Sequence, residues 1–268
     1  MQISVVIPVY DRQVAAVRAI RSALAQAGPR VEIIVVDDAS PRPFSLPPDL
    51  AADHRIRLLR NERNSGPSAT RNAGIAAARG DWIALLDSDD YWLPDKIARQ
   101  AEFVEADQKQ NADTRVFYAT GFRQINASDG RVLDRVPAPS ADALDFASGC
   151  WFSPGSTFLF SKAAFEAAGG YDTRFRRLED LDLALRLALA GGQLKVAPFI
   201  GTVIEVGARP SMKSIDATCR ELEEKWRREP ASSSPPGLMQ RLQAYLDVER
   251  AAASRNDCLL YTSDAADE

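Results

Sequence analysis

Ile3–Val9 reads ISVVIPV, and Val31–Val36 reads VEIIVV. Runs this apolar suit strands buried on both faces. Between them the period changes: Val14, Val17, Ile20 and Leu24 share one helical face, Arg18 and Arg21 the other, until Gly28-Pro29 ends the helix. The alternation continues. Arg55–Leu59 reads as a shorter strand near an edge, and Ser68–Arg79 as a helix capped by Ser68 and stopped by Gly80. Trp82–Leu86 is another apolar strand, and a helix follows from Pro94 to about Asp107. Strand–helix alternation with short connections predicts an α/β fold, a mostly parallel sheet flanked by helices. Ligands of such sheets bind beyond the carboxyl ends of the strands. Those ends carry Tyr10-Asp11, Asp37-Asp38, Asn61–Asn64 and Asp87–Asp90.

The second half is less regular. Val116–Ile125 and Gly130–Val136 read as a hairpin, Ser156–Phe160 as a strand, and Leu181–Ala190 as a helix ended by Gly191-Gly192. The expected organisation is a domain over 1–229 with halves 1–110 and 111–229, a linker over 230–237 and a C-terminal helix over 238–257. Residues 258–268, CLLYTSDAADE, lack helical period and resemble translated adapter read-through. That tail is expected to be foreign and without an evolved role.

Composition narrows the function classes. The chain has 268 residues, 46% hydrophobic and 26% charged, and a net charge of −4, so no basic face announces nucleic acid. No apolar run approaches the ~18 residues of a membrane span. The N-terminus lacks a basic start and cleavage signature. Three scattered cysteines make neither a disulfide framework nor a zinc motif and fit a reducing cytoplasm. A single histidine, His54, excludes a multi-histidine metal site and a histidine-based triad.

Four stretches carry candidate chemistry. Asp87-Ser88-Asp89-Asp90 packs three carboxylates at a strand end, where they repel unless a cation or solvent screens them. Asp oxygens are hard ligands that suit Mg²⁺ or Mn²⁺; the same acids also suit a solvated turn before a helix. Asp37-Asp38-Ala39-Ser40 can bind a ribose or base, or simply form a turn. Asn64-Ser65-Gly66 through Gly74 offers a close backbone approach, with Arg71 one turn into the helix, placed for a diphosphate or for solvent. Glu179-Asp180-Leu181-Asp182 opens an apolar helix, as a general base or as acids favoured by the helix dipole.

Taken in order, Pro8-Val9-Tyr10, Asp-Asp-x-Ser, Asn-x-Gly-x-x-x-x-Arg-Asn-x-Gly, Asp-x-Asp-Asp and Glu-Asp resemble the family 2 glycosyltransferases of the GT-A fold, over roughly Ile3 to Gly192. The resemblance implies a Rossmann-like sheet, a less regular acceptor-side half and C-terminal helices. It implies inverting transfer of a sugar from a nucleoside-diphosphate sugar, expected to be uridine-linked, to a hydroxyl of a glycan or lipid-linked acceptor. Bacterial surface polysaccharide synthesis is the expected setting, in the cytoplasm or at the inner face of the membrane, where peripheral contact is compatible with the sequence. By the same resemblance, Pro8, Val9, Tyr10, Asp11 and Asp38 hold base and ribose, Arg71 lies near the diphosphate, and Asp87 and Ser88 lie on the ribose side. Asp89 ligates Mn²⁺ or Mg²⁺, Asp180 is the catalytic base with Glu179 beside it, and Trp151, Ser156 and Asp172 fall in acceptor-side loops. Some relatives have a C-terminal histidine near the metal; this chain has none there, and its Val203–Lys213 loop offers Arg209 and Lys213 instead.

Rival readings are a nicotinamide dehydrogenase, a P-loop enzyme, a sugar nucleotidylyltransferase and a silent nucleotide-sugar-binding scaffold. The turn after the first strand, Val9–Gln13, has no glycine, which removes the first and weighs against the third. A P-loop is absent as well. The full acidic set weighs against the scaffold.

Overall fold

The structure is a computed structural model that describes residues 1–264 except 112, 128, 150, 151, 153, 207–210 and 230–233, with side chains described as far as Ser254. Trp151 and Arg209 therefore lie outside the described residues, as does the first half of the expected linker. In chain order the elements are β1 (Gln2–Val9), α1 (Gln13–Leu24), β2 (Arg30–Asp37), α2 (Pro48–Ala51), β3 (Ile56–Arg60), α3 (Pro67–Ala77), β4 (Trp82–Leu85), β5 (Tyr91–Trp92) and α4 (Lys96–Gln108). They continue with β6 (Val116–Asn126), β7 (Val132–Arg135), α5 (Ala143–Ala147), a 3-10 turn at Gly155–Thr157, β8 (Leu159–Ser161), α6 (Lys162–Ala167), α7 (Glu179–Leu189), β9 (Gln193–Val206), α8 (Met212–Arg228) and α9 (Leu238–Asp264).

One sheet runs in the order β3-β2-β1-β4-β8-β6-β9-β5, with β7 on β6. β3, β2, β1 and β4 are parallel. β8 is antiparallel to both β4 and β6, and so joins the two halves of the chain in one sheet. The strand period of two decides the core. Val5, Ile7, Ile33 and Val35 pack into the layer beneath α1. Val6, Ile34 and Val36 face the opposite layer with Ile75 of α3 and Leu181 and Leu185 of α7. A Cβ on Gly74 would stand 2.4 Å from Val6 Cγ1, so a bare backbone at that position lets α3 lie on the sheet.

Several boundaries differ from the expectations. Ser68 does not cap α3: Gly66, at φ 85°, precedes the helix, Pro67 opens it, and the Ser68 hydroxyl donates to the Phe175 carbonyl. Pro67 supplies the preset φ of a first helical residue, which frees Ser68 for that distant bond. The strand expected at Ser156–Phe160 divides into the 3-10 turn and β8. Val203–Val206, expected in a loop, finishes β9, which runs parallel to β6, and Lys213 lies in α8. β9 contains Lys195, Pro198 and Gly201, which hide its strand pattern. α9 runs on through residues expected to lack helical order, to Asp264. Among the described residues no helix is long and apolar enough to cross a membrane.

Candidate active site

The carboxyl ends of β1, β2 and β4 and the start of α3 enclose a cleft of about 480 Å³. Of the residues expected to hold the donor, Pro8, Val9, Tyr10, Asp38, Arg71, Asp87, Ser88 and Asp89 line it. Asp11 lies outside, in an adjoining hollow with Ser40 and Phe44. Its backbone sits at φ 50°, and its N–H donates to Ser40 Oγ at 2.9 Å. Tyr10, 47% exposed, presents a ring at the rim.

The strand-end carboxylates are also architectural. Asp38 is buried and accepts from the N–H groups of Ser65 and Gly66 and from Asn61 Nδ2, all within 2.9 Å. It thus ties the loop before α3 to β2 and is itself part of the cleft wall. Asp37 accepts from Ser40 and Phe44 and pairs with Arg60. Burial opposes its ionisation, but the Ser40 hydroxyl, the two N–H groups and Arg60 outweigh that and hold it below its ordinary value.

The acid-rich turn resolves its repulsion by finding separate partners. Asp87 pairs with Arg71 at 2.7 Å, and its N–H donates to Ser156 Oγ. Asp89 pairs with Arg12, and its carbonyl accepts from Arg18, which also pairs with Glu205 at 2.5 Å. Asp90 turns inward and accepts from the Ser156 hydroxyl at 2.5 Å. Burial first, and then the charge of Asp87, push Asp90 up to about 7. Ser156, expected among acceptor contacts, is instead fully buried beneath this turn, because its hydroxyl bonds both Asp87 and Asp90. No group of three or more His, Cys, Asp or Glu converges as a metal cage among the described residues. Asp89, with a 38% exposed side chain in the cleft, offers a hard oxygen of the kind that could hold a divalent cation.

Behind the cleft lies a buried ion network. Arg71 is 4% exposed, and its terminal nitrogens reach Asp87 and Glu179, both at 2.7 Å. Its guanidinium lies 5.4 Å from the centre of the Tyr171 ring. Asp180 accepts from the Tyr171 hydroxyl at 2.7 Å and from the Gly155 N–H at 3.2 Å. Asn72 exchanges two hydrogen bonds with the Tyr171 backbone, so the Arg-Asn pair of α3 positions Tyr171 and, through it, Asp180. Leu178 precedes α7 at φ 56°, a conformation costing about 1–3 kcal/mol for a residue with a Cβ, and α7 starts at Glu179. Neither Glu179 nor Asp180 lines the cleft itself, and Asp180 borders a small apolar hollow with Phe146, Phe152 and Phe158. Burial raises Asp180 to about 6, with Arg71 and the Tyr171 hydroxyl opposing and Glu179 and Asp87 adding to the rise. A carboxylate poised there is suited to take a proton near neutral pH.

Asp182 and Asp172 point elsewhere. Asp182 is fully buried and pairs with Lys225 at 2.6 Å and Arg186 at 2.8 Å. Asp172, expected near the acceptor, is engaged by Arg174 and Lys225, which hold it well below the usual carboxylate range. Just over half a turn of α7 thus separates an acid that faces Tyr171 and Gly155 from one that anchors α8. Sequence reasoning missed Arg12, Arg176 and Arg177, which line the cleft, and Tyr171 as a partner of Asp180. The Arg176-Arg177 doublet just before Leu178-Glu179-Asp180 is the visible signal for the first group. Arg18, placed by its helical period on the solvent face, is the tie between α1 and the Asp89 carbonyl.

Comparison with known proteins adds an independent line. Residues 4–169 match the model of the family described as Glycosyl transferase family 2. A succinoglycan biosynthesis protein, ExoO of Rhizobium meliloti, is 36% identical over 214 residues, which cover 76% of this chain and 60% of that protein. A teichuronic acid biosynthesis glycosyltransferase of Bacillus subtilis, TuaG, is 34% identical over 53% of this chain and 55% of its own length. The chain thus spans little more than half the length of these relatives. Among solved structures, TarS of S. aureus in complex with UDP superposes with a TM-score of 0.66 at 18% identity, over 92% of this chain and 71% of that one, and so shares the fold.

Proposed function

The chain belongs to glycosyl transferase family 2, and from that premise we propose that it moves a sugar from a nucleoside-diphosphate donor to an acceptor hydroxyl with inversion. One observation carries the reading. A single buried guanidinium, Arg71, joins Asp87 on the cleft wall to Glu179 beside Asp180. A donor in the cleft therefore lies against a rigid frame that also holds the base.

In this reading Pro8, Val9 and Tyr10 with the Asp38 turn form the wall for base and ribose, Asp11 stands outside it in the adjoining hollow, and Asp87 and Ser88 face the ribose. The leaving diphosphate gains negative charge as the glycosidic bond breaks. Arg12 and Arg177 sit in the same cleft to meet that charge, and preorganised cations act most strongly on charge that develops in the transition state. Asp89 would hold Mg²⁺ or Mn²⁺, which would lend Lewis-acid stabilisation to the diphosphate when bound. Asp180 takes the proton of the acceptor hydroxyl as that oxygen attacks the face opposite the leaving group. The proton rests on a carboxylate already steadied by Tyr171 and Gly155.

A uridine donor is supported by the nucleotide bound in the TarS structure, and polysaccharide assembly by the names of ExoO and TuaG. The acceptor is then a glycan or a lipid-linked glycan met on the cytoplasmic side of a membrane. Uridine, guanosine and thymidine diphosphate sugars, each with and without Mn²⁺, test the reading by thermal shift and nucleotide release. A bound donor at 100 times its Kd should stabilise the fold by ~2.7 kcal/mol. Stabilisation without release of nucleoside diphosphate under any acceptor would mark a silent binding protein.

A further inference from the structure

The opposite end of the same sheet carries a second cleft, of about 620 Å³. The amino ends of β1, β2 and β3 and the turn before β4 form it. β1 is eight residues long. At ~3.3 Å per residue, the two clefts lie roughly 25 Å apart. Arg30, Arg55, Arg57 and Arg79 line this second cleft, with His54 beside them.

The carboxylates near these arginines are already engaged. Asp53 clasps Arg55 with both oxygens. Glu32 accepts from Ser4 Oγ and from the backbone N–H of Arg79, and lies 3.6 Å from Arg57. Arg57 is fixed further by the Ala77 carbonyl at 2.8 Å. The guanidinium groups of Arg30 and Arg79 have no hydrogen-bond or ion-pair partner among the described residues. A chain with a net charge of −4 thus gathers unanswered positive charge at one concave place. Low-dielectric walls focus that field onto an anion.

We propose that this cleft is an anion site for a phosphoryl group, held by Arg30 and Arg79, with Arg57 in the same lining. Planar guanidinium forks match two oxygens of a phosphate, a geometry that a lysine cannot offer. The volume admits the phosphoryl group together with part of the molecule that bears it. The bearer is either a soluble phosphorylated compound or the headgroup of an anionic phospholipid, and both present the same chemistry.

Calorimetry with inorganic phosphate at constant ionic strength tests the site on the full chain. Both arginines are exposed, so R30Q/R79Q should keep the thermal midpoint of the parent. That variant should weaken phosphate binding about tenfold or more, whereas R176Q/R177Q at the other cleft should leave this binding unchanged. Co-sedimentation with phosphatidylglycerol–phosphatidylcholine vesicles then separates the sources. Loss in R30Q/R79Q alone identifies the lipid headgroup; loss of phosphate binding without any vesicle effect identifies the soluble compound. The proposal is overturned if phosphate fails to bind, if R30Q/R79Q binds it like the parent, or if only R176Q/R177Q loses it.

Discussion

Replacing Tyr171 with phenylalanine removes one hydrogen bond from Asp180 and little else. The ring keeps its packing 5.6 Å from Phe165 and its place under Arg71, and Asn72 still holds the backbone. The Gly155 N–H still reaches the other carboxylate oxygen at 3.2 Å. A hydrogen bond to a charged group is worth about 1.5–3 kcal/mol. At 1.36 kcal/mol per pH unit, its loss raises the carboxylate by about 1–2 units. Asp180 starts at about 6. The sign follows from the donor: a hydroxyl that stabilises the ionised form lowers the value, so removing it moves the acid limb of kcat/KM upward, to about 7–8. At pH 6.5 the Tyr171→Phe variant should lose roughly eightfold, and by pH 9 it should recover most of the parent rate. Nucleotide release measured from pH 5 to 9 at low donor concentration reads this directly. An acid limb that stays at the parent position, or a loss equal at every pH, would refute Asp180 as the titrating base.

Asp180→Asn should lower transfer ~10²–10⁴-fold with donor affinity nearly intact. Because its folded-state value is raised, ionised Asp180 weakens the fold as pH climbs from the ordinary carboxylate range through about 6, so the Asn variant should melt no lower than the parent at pH 8. Asp182→Asn should do the reverse: it breaks buried pairs with Lys225 and Arg186 and should cost about 3 kcal/mol in denaturant unfolding, with the acid limb of the rate unmoved. Asp89→Asn should abolish any gain in donor binding from Mn²⁺, leaving the affinity that the parent shows in chelator; undiminished metal dependence would exclude Asp89 as the ligand.

Much of the donor half was legible because its information is local. The period of two in ISVVIPV and VEIIVV decides which residues face each core layer, and the structure sorts Val5 and Val6 to opposite layers on that rule. Strand ends follow from the same pattern, and with them the places where Asp38, Asp87 and Asp89 meet. β9 was not legible, since a strand that carries Lys195, Pro198 and Gly201 has no clean period; its pairing with β6 decides it.

By itself, then, the sequence determined the α/β class, the mostly parallel character of the sheet and the end of the sheet where chemistry gathers, because hydrophobic periodicity and turn residues act over a few positions. The tertiary structure alone decided what each charged group does. Arg71 reads as a diphosphate contact in its own helix; it lines the cleft and also meets Glu179 from 108 residues away in an internal bridge that its own helix does not announce. Ser156 reads as an acceptor contact and becomes the buried brace of the acidic turn. Asp180 and Asp182 have the same chemistry two positions apart, and the docking of α8, which brings Lys225 to Asp182, leaves Asp180 beside Tyr171. Burial and partners set the ionisation and reach of such groups, and distant segments supply both only once they pack together.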